Sequence, residues 1–194
     1  MRSRILIAGL LGGVALFMWG FVSHMVLQLG DAGLHSVPLP PNDQALLDSL
    51  HGTLPASGLY FYPGMDESKA GDQAEMDAWT ARTQTNPHGM IVYQTAPYAG
   101  MGGQLVREGL TDVAFAMLAA LLLSCALGCC SSLACRVGFV ASLGVVTALR
   151  PIQQWNWYDF PEKYTLAQVA DGVLGFLIMG IVIALIVKPR PAET

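Results

Sequence analysis

His24 is the first residue whose type and setting suggest chemistry. It stands in Trp19-Gly20-Phe21-Val22-Ser23-His24-Met25, and of the four histidines it alone lies inside a long apolar run. Glu108 and Asp112 open a second apolar run, and Asp171 lies near the start of another. An ionisable group inside a membrane span is costly, so each is a functional hypothesis by default. All lie within about two turns of one boundary of their helices, where water reaches them and the cost falls. Arg107 and Arg150 stand at that level as counter-charges. A polar network that orients the helices therefore outweighs a proton pathway or catalytic site. At least two of His24, Asp112 and Asp171 are expected within a hydrogen bond or water bridge of each other.

Cofactor chemistry finds little support. Membrane haem takes a pair of axial ligands, and His24 has no second intramembrane histidine, only Met25, Met117 and Met179. The four cysteines, Cys125, Cys129, Cys130 and Cys135, are spaced C-x3-C-C-x4-C, which matches no zinc or iron–sulfur pattern. Cysteine in a helix is usually a small buried hydrophobe. No P-loop, dinucleotide fingerprint, HExxH or GxSxG motif occurs. No metal, cofactor or catalytic residue is expected.

The elements that must position these groups are membrane spans. Of 194 residues, 53% are apolar and only 12% are charged, and the mean hydropathy is +0.47. That composition argues against disorder. The excess of 14 acidic over 10 basic residues argues against nucleic acid as a partner. A bilayer core needs roughly 20 apolar residues per helix. Four segments approach this: Ile5 to Leu27, Leu110 to Leu127, Leu133 to Leu149 and Leu166 to Val187. The third must start near the cysteines or run past Pro151. The first exceeds a signal-peptide core and lacks an A-x-A site, so it is expected to stay uncleaved. The expected class is an all-α transmembrane four-helix bundle with a small extracytoplasmic α+β loop domain between helices one and two. Its parts are helix one over 1–28, the loop domain over 29–107, and helices two to four over 108–194.

Lys and Arg near span ends set orientation. Arg2, Arg4, Arg136, Lys188 and Arg190 fall on one side of a four-pass chain, so both termini are expected in the cytoplasm. The long loop carries Asp31, Asp43, Asp48, Asp66, Glu67, Asp72, Glu75, Asp77 and Glu108 against only Lys69, Arg82 and Arg107. The cysteines then face the reducing side and are expected to remain thiols. Trp155, Trp157, Tyr158, Phe160 and Tyr164 form an aromatic group suited to the outer interface. Gly9 and Gly13, and Gly172, Gly175 and Gly180, allow close helix contacts. Thr165 and Gln168 have the spacing of a capping box for helix four.

A structureless loop of about eighty residues would be unusual. Pro38, Pro40 and Pro41 lead into a helix from Asn42 to Leu54, capped by Asn42 or Asp43. Leu59 to Tyr62 and Met90 to Tyr93 read as strands on either side of a helix from Asp66 to Thr83.

Three strings, Trp19 to Met25, Gly58-Leu59-Tyr60-Phe61-Tyr62-Pro63 and Asn156-Trp157-Tyr158-Asp159-Phe160-Pro161, carry a resemblance over most of the chain. The chain resembles a group of small, uncharacterised bacterial integral membrane proteins. The resemblance implies a bacterial inner membrane and supplies no activity, cofactor or site. Three function classes follow. The leading one is a non-enzymatic subunit or assembly factor of a membrane complex, with a membrane-protein partner or a second copy of the chain. The alternative is an extracytoplasmic ligand-binding or sensor module using the rim around Trp155 and Trp157. The last is an enzyme or transporter using His24 and the carboxylates.

Overall fold

The computed structural model describes residues 2–38 and 41–189. Pro40 and Arg190, used above as helix breaker and orienting charge, lie outside the described residues. The chain divides into two compact units, Met1–Leu34 with Ala99–Thr194, and His35–Tyr98.

The first unit is a helical bundle. Helix α1 (Arg2–Phe21) runs on through a π-helical turn, Val22–Val26. Helix α4 (Gly102–Ala126) is followed by α5 (Leu133–Thr147), α6 (Leu149–Tyr158) and α7 (Glu162–Ile186). Helices α5 and α6 nearly merge, so four stretches of 25, 25, 26 and 25 residues are long and apolar enough to cross a membrane. At 1.5 Å per residue each is about 38 Å long, enough for a hydrocarbon core of about 30 Å. Pro151 explains the break between α5 and α6. It cannot donate to Thr147, so the ladder lapses there, yet it sits in the first turn of α6, where no donor is needed.

Small residues set the packing order. Gly9 faces Met117 and Gly13 faces the Val113 backbone, so α1 and α4 run antiparallel. Gly12 meets Ile183, and Gly175 meets Leu16 and Trp19, which makes α1 and α7 antiparallel. Gly144 against Phe176 and Gly180 against Val140 do the same for α5 and α7. The order across the bundle is α4, α1, α7, α5. The start of α1, the end of α4, the start of α5 and the end of α7 therefore share one end. Ala8, Ala116, Ala119, Ala120, Leu123, Val140, Met179, Ile183 and Val187 form a closely packed core toward that end. Four of the nine are alanines, small residues that let backbones approach closely.

Several local expectations are corrected. Helix α7 starts at Glu162 behind Pro161, a turn before the expected cap. Thr165 is thus buried inside the helix, its hydroxyl oxygen has no partner among the described residues, and no capping box forms. Helix α2 (Asn42–Thr53) begins without a side-chain cap. The Asp43 carboxylate instead accepts from the next amide, Gln44. At the packed end Cys130 and Cys135 form a disulfide, their Cα atoms 5.2 Å apart, in place of two of the four expected thiols. Ser132 caps α5 by accepting from the Cys135 amide, and that turn brings the two cysteines together.

The second unit pairs β1 (Gly58–Tyr62) with β2 (Gly89–Tyr93) antiparallel, from Gly58 opposite Tyr93 to Tyr62 opposite Gly89. Between them α3 covers Gln73–Thr85, later than expected. Asp66 and Asp72 explain the delay. Asp66 heads a separate single turn, and Asp72 caps α3 by accepting from Ala74. The Trp79 indole N–H donates to Pro63 O, and Arg82 bonds Gly64 O and pairs with Glu75. These bonds hold α3 on the ribbon.

Candidate functional site

The candidate site lies between α1, α4 and α7 at the end of the bundle opposite the packed core. Each helix brings its own polar group.

On α1 the group is His24, within the π-helical turn, where the Leu27 amide reaches Val22 O at 2.9 Å. Ser23 Oγ donates to Gly20 O at 3.1 Å, and His24 Nδ1 lies 2.9 Å from Ser23 Oγ and 3.1 Å from Gly20 O. Because the Ser23 proton goes to Gly20, the contacts are satisfied when Nδ1 carries the histidine proton. Side chains that compete for a helical carbonyl favour departures from the regular ladder, and π-turns are frequent at functional sites. The Ser23–His24 contact is not a nucleophile–base pair. Ser23 is 0% exposed, and a nucleophile needs an approachable oxygen.

On α4, Glu108 and Asp112 are one turn apart and share a face. Asp112 is 7% exposed. On α7, Asp171 receives the Trp19 indole N–H on its backbone carbonyl at 3.1 Å. That bond and the close approach at Gly175 clasp α1 to α7. One Asp171 carboxylate oxygen is buried with no hydrogen-bond partner among the described residues.

His24, Glu108, Asp112 and Asp171 all line one cavity of about 510 Å³. No direct hydrogen bond joins the side chains of His24, Asp112 and Asp171 among the described residues. They share walls, not bonds. Arg107, Arg150, Trp155 and Trp157 do not line this cavity; all four are exposed.

Three features escaped the reading of the sequence. Ser23 shapes the turn under His24. Phe17, Trp19, Phe115 and Phe176 supply aromatic wall, yet an aromatic ring in an apolar run looks the same whether it faces lipid or a cavity. Arg136, counted above only for orientation, is 6% exposed. Its Nε donates to Ala184 O at 3.2 Å, and the guanidinium also bonds Ser131 O. It thereby satisfies a carbonyl in the last turn of α7, where a cation is favoured.

The site has acceptors in excess of donors. Its lining includes three carboxylates and no lysine or arginine. Among the described residues no group of three or more His, Cys, Asp or Glu is placed to hold a metal ion. The arrangement suits binding of a positively charged group in an apolar setting, and no lining residues form a nucleophile–base pair. No family model matches the chain, and neither a curated protein nor a solved structure matches it.

Proposed function

We propose that this chain is a multi-pass protein of a bacterial inner membrane that binds a small ligand within its bundle and does no chemistry on it. Both termini and the packed end face the cytoplasm, although that compartment disfavours the Cys130–Cys135 disulfide found at this end, and residues 35–98 are outside it. The four long apolar helices support the membrane setting. The charges of Arg2, Arg4 and Lys188 at one bundle end support the orientation.

One observation carries the ligand reading. Asp112, nine-tenths buried and without a hydrogen bond among the described residues, stands in the wall of a cavity of about 510 Å³. Native ligand pockets fall in this size range, largely apolar with a few convergent polar groups. Asp171 lines the same cavity with one carboxylate oxygen buried and without a partner among the described residues; an acceptor so left costs about 1–3 kcal/mol or more, a cost that a ligand recovers.

A second reading, a non-enzymatic subunit or assembly factor of a membrane complex, is favoured by the β-ribbon. A two-stranded ribbon is marginal alone, and Leu59, Phe61 and Val92 on one face are exposed, Val92 at 77%. Gentle extraction followed by intact mass measurement separates the two. A small particle carrying a low-mass adduct supports the ligand reading. A large hetero-complex without one supports the subunit reading and contradicts the first.

A further inference from the structure

The chemistry of the cavity wall narrows the ligand, on the assumption that the ligand reading above holds. Asp112 on α4 and Asp171 on α7 line the same cavity, with Glu108, exposed, one turn from Asp112. Asp112 accepts no hydrogen bond among the described residues, and an Asp171 carboxylate oxygen is buried and unpartnered. Phe17, Trp19 and Phe115 line the same space. A buried carboxylate must be paired or neutralised. An anion would meet like charge, and a neutral guest would leave the carboxylates unmatched. A small metal ion finds no three-ligand group among the described residues. An organic cation meets both halves of the wall. Its charge is matched by carboxylates and by aromatic faces, and its apolar body replaces water against the rings.

We propose that this cavity binds an amphiphilic organic cation, with its charge between Asp112 and Asp171 and its apolar body against Phe17, Trp19 and Phe115. Glu108 at the rim favours entry of positive charge.

The test uses the full-length protein in lipid nanodiscs and two probes of the same shape and opposite charge, tetraphenylphosphonium and tetraphenylborate. The expected result is saturable binding of the phosphonium and none of the borate. Asp112→Asn and Asp171→Asn each weaken phosphonium binding about tenfold or more, as for truncation of a buried charge partner. Glu108→Gln, at an exposed position that leaves folding intact, weakens it a few-fold. The comparison of the two ions needs no variant, so it stands even if a buried substitution prevents folding. Binding of the borate as tightly as the phosphonium, or phosphonium binding unchanged in all three variants, overturns the cation while a ligand-binding cavity stands. Saturable binding of neither ion overturns the proposal, and an intact mass without adduct then overturns the ligand reading as well.

Discussion

Trp19 shows how one side chain serves both packing and site. Its N–H holds Asp171 O on α7 while its ring lines the cavity. Trp19→Phe keeps the ring and removes the donor, leaving a carbonyl of α7 unmatched. The expected loss is about 1–2 kcal/mol, read as a lower thermal midpoint in detergent. Trp157→Phe, at an exposed ring outside the cavity, leaves the midpoint unchanged. Asp66 offers a residue-scale test in the second unit. The Ser68 hydroxyl, then the Ser68 amide, donate to its carboxylate and hold its pKa below the ordinary carboxylate value. A depressed folded value means the unfolded chain takes up the proton first. The contribution of Asp66 to the turn is therefore complete above the ordinary value and is lost as pH falls through the depressed one. Amide exchange of residues 66–70 should accelerate across that acidic window, and Asp66→Asn should abolish the pH dependence. The carboxylates and His24 were legible in the sequence because ionisable residues stand out in apolar runs. Their spacing could not reveal that they share a cavity without bonding each other, since depth and rotation of three helices decide that.

At the scale of elements, glycine positions govern how helices meet. A Cβ on Gly13 would lie 2.6 Å from the Val113 Cα, against backbone that cannot swing aside. Gly13→Val should push α1 from α4 and cost about 1–3 kcal/mol or more. Gly138→Ala, where a Cβ meets nothing within 4 Å, should be neutral or stabilise by up to about 1 kcal/mol. Comparing thermal midpoints of the two variants tests the packing order; equal effects would contradict it. The four apolar stretches and the two strands were readable from hydropathy and alternation. Element starts were less so. Helix α4 begins at Gly102, eight residues before the apolar run, because its first two turns, with Gln104, Arg107, Glu108 and three glycines, are helical although not continuously apolar. Helix α7 begins at Glu162 because Pro161 precludes an earlier start and Thr165 is then too deep to cap. The cysteine expectation followed from compartment alone, whereas the Ser132 turn decides which two sulfurs meet.

For the whole molecule, the bundle is close-packed at one end and open at the other. Alanines, glycines and Arg136 close the end that holds the start of α1 and the end of α7. Carboxylates and rings line the opening at the other. The proposed function requires that these two ends face opposite sides of a membrane. Topology reporters fused at Gly71 and after Thr194, one active only outside the cytoplasm and one only within it, test this most directly. The account predicts an outside signal at Gly71 and an inside signal at Thr194. An outside signal at Thr194, or the same side for both, would contradict it.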